Sequence, residues 1–231
     1  MTAGTGGRNR IRDAGRANDI LGAFTRNMAR HGYAGSNFSE IANELGISKG
    51  TIVHHYGTKD QLFARMHDSY MERRLGEAND VVARLESPDQ RLAGLLFAFM
   101  LYQEVDRDAT VAFQRSIATV ATHDALAHGR ELRASYLALV RGVLADGVRA
   151  GVFRPLDIEV QSLLIFGSSQ WAWTWFQLHD RKTALEIGGQ FVQLALGGLL
   201  VDRLSLDSLA DPAGAVATTV FDIVAQHSTS P

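Results

Sequence analysis

Three features of this 231-residue sequence predict an all-α fold. Apolar residues recur at three-and-four spacing along nearly the whole chain, no stretch of useful length alternates apolar with polar residues, and glycines and small polar capping residues divide the chain into helix-sized segments. The composition is that of a folded globular chain: 46% hydrophobic, 21% charged, with 4 prolines.

The elements follow in order. Ala17, Ile20, Leu21, Phe24 and Met28 trace one face of a helix over 16–30, which Gly32 can end. Asn37 with Glu40 three residues later forms a capping box for a short helix over 38–45, and Gly46 supplies a left-handed stop. Ser48 caps a third helix over 48–55, and Thr58 with Gln61 opens a long one over 59–85. Ser87, Pro88 and Gln90 start the helix over 88–105, followed by helices over 108–121 and 124–150. Gly151 and Pro155 then break the chain before a helix over 157–178; Thr183 and Glu186 cap another over 183–203, and the last, over 213–226, is weak. The predicted organisation is a flexible basic arm (1–15), a three-helix unit (16–60), a larger helical domain (61–204) and a C-terminal segment (205–231).

Composition excludes several functions. With no cysteine there are no disulfides, thiolate metal sites, iron–sulfur clusters or cysteine nucleophiles. The longest apolar run, Leu92 to Tyr102, has 11 residues, against the roughly 20 of a spanning helix, and no apolar stretch follows the N-terminal arginines as a secretory signal would require. A cytoplasmic location without membrane contact is therefore expected. The net charge of -2 hides an asymmetry: residues 1–65 carry 9 basic and 5 acidic side chains, whereas the remainder is acidic. Arg8, Arg10, Arg12 and Arg16 add to a basic end suited to a polyanion.

The helices over 38–45 and 48–55, joined by "LGIS", have the form of a helix-turn-helix. Ile41, Ala42, Leu45, Ile47, Ile52 and Tyr56 are spaced to pack inward, which leaves Lys49, Thr51, Val53, His54 and His55 on or near the other side. Such a helix fits a DNA major groove. Lys59 adds positive charge at the start of the next helix, where backbone amides already favour phosphate. The adjacent His54 and His55 diverge by about 100 degrees and so do not converge on one ion as an i, i+4 pair does. No metal site or cofactor is expected.

The run "SNFSEIANELGISKGTIVHHYGTKDQLF", residues 36 to 63, resembles the DNA-binding domain of TetR-family transcriptional regulators, and "ILGAFTRNMARHGYAGS" before it resembles their first helix. Carried over by position, the resemblance implies Lys49, Gly50, Thr51, Val53 and His54 near bases, with Ser36, Asn37, His55 and Lys59 near phosphates. Val53 departs from the pattern, standing where a tyrosine is common. The resemblance also implies a C-terminal domain that dimerises and binds a small-molecule effector. Both helices over 157–178 and 183–203 are apolar on more than one stripe, as a homodimer interface on an outer face requires.

Phe97, Phe99, Met100, Leu101, Phe113, Tyr136 and Leu139 are the expected effector-pocket residues, with His123, Gln103 and Arg133 as polar candidates. The segment "FRPLDIEVQSLLIFGSSQWAWTWF" resembles the Trp-rich helix of members sensing fatty-acyl or steroid-derived CoA thioesters. The expected function is thus a ligand-responsive, homodimeric repressor acting on a palindromic double-stranded DNA operator. The competing expectation is a helical-bundle enzyme or lipid carrier with a structural N-terminal corner, but the sequence has no HExxH, serine motif or phosphate loop to support it.

Overall fold

The computed structural model describes residues 5–120, 126–176 and 182–228. They form eleven α-helices: α1 (Thr5–Gly35), α2 (Phe38–Leu45), α3 (Lys49–Tyr56), α4 (Lys59–Arg84), α5 (Pro88–Val105), α6 (Arg107–Val120), α7 (Ala127–Arg149), α8 (Ile158–Gln170), α9 (Ala184–Leu199), α10 (Leu206–Leu209) and α11 (Ala215–Ser228). A 3-10 turn at Ala172–Thr174 follows α8. Among the described residues the extended pairing is limited to an antiparallel bridge between Phe153 and Leu200.

The caps form as their chemistry requires. Asn37 accepts from the amides of Ser39 and Glu40, Ser48 accepts from Thr51, and Thr58 with Gln61 closes a capping box. Gly46, at φ 63°, takes the left-handed conformation that ends α2 within a single residue. Glu104, near the end of α5, reaches across to accept from the Ala184 amide and so tethers the start of α9.

Two apolar cores result. The smaller joins Ile20, Phe24 and Met28 of α1 to Ile41, Ile52, Leu62 and Phe63 of α2 to α4, and it also takes in Val111 and Ala112 of α6. The larger surrounds α5, which is buried continuously from Leu92 to Gln103 between α4, α7, α9 and α11. Because α6 contributes to the small core and to the large one through Phe113, it joins the two domains. Arg115 on α6 fastens the joint by donating to the carbonyls of Ala29 (2.6 Å) and Arg30 (3.1 Å) near the C-terminal end of α1, where the helix dipole favours a cation.

Some expected boundaries change. Helix α1 begins at Thr5, within the stretch expected to be a flexible arm, and Gly32 kinks it at φ 69°. The helix expected over 157–178 stops at Gln170, because the chain tightens into the 3-10 turn through the Trp-rich stretch; residues 177 and 178 lie outside the described residues. Helix α9 ends at Leu199 because Leu200 turns extended to pair with Phe153. The segment expected to be a weak C-terminal helix is core: Val216, Ala217, Val220, Ile223 and Val224 of α11 are buried against α5 and α4.

Candidate nucleic-acid interface and ligand cavity

Helix α3 sits on the small core through Ile52, which is fully buried, and through Tyr56, whose hydroxyl donates to the Ala17 carbonyl (2.9 Å). This anchoring turns Lys49, Gly50, Val53 and His54 outward together, and Val53 is 51% exposed. Thr51 is half-buried and its hydroxyl lies 3.0 Å from that of Ser48, within the cap. Asn37 is exposed at the start of α2, with its carbonyl oxygen committed to that helix's amides.

Three expected contact residues are differently disposed. Ser36 is buried, and its hydroxyl donates to the Gly32 carbonyl (2.8 Å), closing the end of α1 instead of facing solvent. The His55 side chain is largely covered, with Nε2 3.5 Å from an Asp13 carboxylate oxygen on α1. The Lys59 ammonium folds back to donate to the Tyr33 carbonyl and lies 4.3 Å from the centre of the Tyr33 ring. Partial burial lowers its pKa. The Tyr33 hydroxyl in turn donates to Asp60, and burial together with that carboxylate pushes its pKa up to about 12. Lys59 is therefore part of the joint between α1 and α4.

The larger domain holds a cavity with about 460 Å³ of empty space, part of it open to solvent. Tyr70, Met71 and Arg74 of α4, Phe99 and Tyr102 of α5, Phe113 and Gln114 of α6, Tyr136 of α7, and Phe166, Ser169 and Gln170 of α8 line it. Phe99, Tyr136 and Phe166 form an aromatic triangle with ring centres 5.4 to 5.8 Å apart, and Phe113 stacks on Tyr70 at 4.5 Å. Of the seven expected pocket residues, Phe99, Phe113 and Tyr136 line this space. Phe97, Met100, Leu101 and Leu139 do not, and neither do Gln103 and Arg133; His123 lies outside the described residues. Phe97 instead packs on α9 so closely that a Cβ on Gly188 would lie 2.6 Å from its ring.

The sequence reading missed Arg74, whose neighbours carried the signal. It stands on the buried face of α4 beside Tyr70, Glu77, Ala78 and Val81, where an unpaired charge is not tolerated. Its guanidinium carbon lies 3.9 Å from the centre of the Tyr102 ring and 5.1 Å from that of Tyr70. Nη2 donates to Asp106 (2.9 Å), and Nη1 is 3.1 Å from Glu77. Arg73 also pairs with Asp106, so two guanidiniums meet two carboxylates. Burial raises the pKa of Glu77 against the opposing pull of Arg74, and burial keeps the phenols of Tyr102 and Tyr136 protonated.

From the cavity a row of rings leads to the small domain. Phe113 lies 4.9 Å from His67, His67 lies 4.7 Å from Phe63, and Phe63 lies 4.7 Å from Tyr33. His67 is buried, with Nε2 2.8 Å from the Ser116 hydroxyl. That hydroxyl donates to backbone carbonyls of Ala112 and Phe113, so the imidazole Nε2–H is the donor to it. Burial, and then Arg133, lowers the His67 pKa to about 3, so the ring is neutral at physiological pH.

Among the described residues, no helix is long and apolar enough to cross a membrane and no cluster of three metal-ligating side chains occurs. A repressor named KstR2 from Mycobacterium tuberculosis is 23% identical over 185 residues, spanning 80% of this chain and 92% of its own. The solved structure of the ketosteroid transcriptional regulator KstR2 superposes with a TM-score of 0.74 at 22% identity, covering 81% of this chain and 96% of that one. AibR in complex with isovaleryl coenzyme A and operator DNA gives 0.71 at 22% identity over 78% and 97% of the two chains. FadR of Bacillus subtilis in complex with stearoyl-CoA gives 0.64 at 20% identity over 78% and 97%. Residues 20–66 match the model of bacterial regulatory proteins of the tetR family, and residues 85–199 match that of the tetracyclin repressor-like C-terminal domain. With its helix-turn-helix and its helical ligand domain both matched, the chain belongs to the TetR family of transcriptional regulators.

Proposed function

We propose that this regulator is a homodimeric repressor that holds a palindromic operator until a small apolar or amphipathic effector fills the cavity. The observation that carries the reading is the outward face of α3: Lys49, Gly50, Val53 and His54 are presented together by a helix locked onto α1. In this reading those four residues face the base edges and Asn37 meets phosphate, with Thr51 at the margin. Ser36, His55 and Lys59 shape the surface from behind. Val53 offers a methyl-bearing face to thymine.

The dimer forms through α8 and α9. Val160, Leu163 and Leu164 of α8 and Leu194 of α9 are exposed; Leu194 reaches 75% exposure, and Trp171, just beyond α8, reaches 67%. Leu164 and Leu194 border one shallow groove between the two helices, so the apolar surface is continuous. Two copies packed on this face would set the distance between two α3 helices, and with it the spacing of the half-sites.

Two structural neighbours, solved in complex with isovaleryl coenzyme A and with stearoyl-CoA, support an effector of that general kind. Filling the cavity displaces Phe113, and the row Phe113, His67 and Phe63 carries the displacement to the joint beneath α3. Complete switching from 1:99 to 99:1 takes about 5.5 kcal/mol of differential binding. Retardation of fragments from the protein's own promoter region is the test. Sequence-selective retardation by the purified dimer is expected, and its absence at moderate salt overturns the reading.

A further inference from the structure

We infer that the cavity selects an aromatic ring over a saturated body of similar size, and that Phe99, Tyr136 and Phe166 form the wall that recognises it. This deepens, and rests on, the reading of the cavity as the effector site. Aromatic residues make up 8% of the chain, yet six of the eleven residues that line the cavity are Tyr70, Phe99, Tyr102, Phe113, Tyr136 and Phe166. Among the described lining residues there is no leucine, isoleucine or valine, and the other apolar one is Met71, whose thioether also favours ring contacts. A pocket for a saturated chain has no need of such a lining, because burial of apolar area is indifferent to the kind of wall.

The polar groups of the lining are engaged with one another, so the phenols act toward a ligand chiefly as rings. Arg74 pairs with Glu77 and Asp106 and lies against the rings of Tyr70 and Tyr102. The Tyr102 phenol pairs with Glu77, and the Tyr136 phenol with Tyr102. Tyr70 is also stacked on Phe113. Phe99, Tyr136 and Phe166 are the rings that neither the guanidinium nor this stack takes up. Their planes meet at 35°, 62° and 77°, so the triangle offers both faces and edges. A ring is negative on its faces and positive at its edge, and a fourth ring set against this triangle finds complementary contacts that a saturated ring does not.

Equilibrium dialysis of the full-length protein against a matched pair, 4-phenyl-1-butanol and 4-cyclohexyl-1-butanol, tests this directly. The cyclohexyl compound has the larger apolar surface, so burial alone favours it, and a preference for the phenyl compound needs the rings. The phenyl compound is expected to bind about 3- to 10-fold more tightly. Phe99→Leu and Phe166→Leu keep an apolar side chain but remove a ring; each should weaken the phenyl compound about 3- to 10-fold and shift the cyclohexyl compound less than about 2-fold, a split that general loosening of the fold would not produce. Equal or tighter binding of the cyclohexyl compound, no measurable binding of the phenyl compound, or an unchanged preference in both variants would each overturn the proposal. Operator retardation without ligand is scored separately: ring selection by a protein that ignores its promoter would sink the repressor reading and leave this one standing.

Discussion

Acid should weaken this fold through His67 beyond what its carboxylates require. The imidazole is buried between Phe63 and Phe113 and held neutral, with its pKa lowered from 6.5 to about 3. Between those two values the unfolded chain binds a proton that the folded chain refuses. Stability is therefore fully present above pH 6.5 and is lost as the pH falls toward 3, at about 1.4 kcal/mol per pH unit. At pH 5 the loss is about 2 kcal/mol, a substantial share of the 5–15 kcal/mol typical of a domain. The clean perturbation is His67→Gln, which does not titrate and retains an N–H for the Ser116 hydroxyl. Urea denaturation of both proteins, at one protein concentration and at steps from pH 7.5 to 4.5, cancels the other titrating groups in the difference. The variant starts less stable and should gain about 2 kcal/mol on the native protein between pH 7 and 5. Parallel profiles would refute the reasoning and mean that the histidine accepts a proton in place.

Three further variants probe the rest of the molecule. Val53→Glu places a carboxylate on the exposed face of α3 and should lower operator affinity at least about 10-fold with the melting temperature unchanged; normal retardation would remove α3 from the interface. Leu164→Glu combined with Leu194→Glu charges the groove between α8 and α9 and should convert a dimer to a folded monomer in analytical ultracentrifugation, whereas an intact dimer would place the interface elsewhere. Gly147→Ala improves helix propensity, yet its Cβ would lie 2.0 Å from the buried Phe153 ring; a net loss of about 1–3 kcal/mol is expected by chemical denaturation, and a gain would show that Phe153 yields freely.

Local chemistry made the N-terminal domain readable. Asn37, Gly46, Ser48, Thr58 and Gln61 each satisfy backbone groups within a few residues of themselves, so spacing alone locates α2, α3 and the start of α4. The cavity depends on which way a helix is turned, and α5 is buried on every side, so its apolar pattern cannot separate Phe99 and Tyr102, which face the space, from Phe97, which faces α9. The covered side chain of His55 and the folded-back Lys59 depend on the path of α1, a tertiary fact. Helix α11 looked weak because its apolar residues are small, Val216, Ala217 and Val220 among them, yet small residues are what a close approach to α5 accommodates. Arg74 did have a sequence signature, a charge on the largely apolar stripe of α4 with Glu77 three residues on.

Helix α6 turns out to be a roller between two cores. Phe113 and Arg115 leave it two positions apart, about 200 degrees around the axis, one bordering the cavity and the other gripping the end of α1. A roll of roughly 10 degrees, at a side-chain radius of about 5–6 Å, moves the two by about 1 Å in nearly opposite directions. A ligand that bears on Phe113 would then add a torque on α6 to the displacement passed along the ring row, and the sense of the torque would depend on which flank of Phe113 it occupies. Two ligands of equal affinity and opposite effect on operator binding would be the signature of such a bearing.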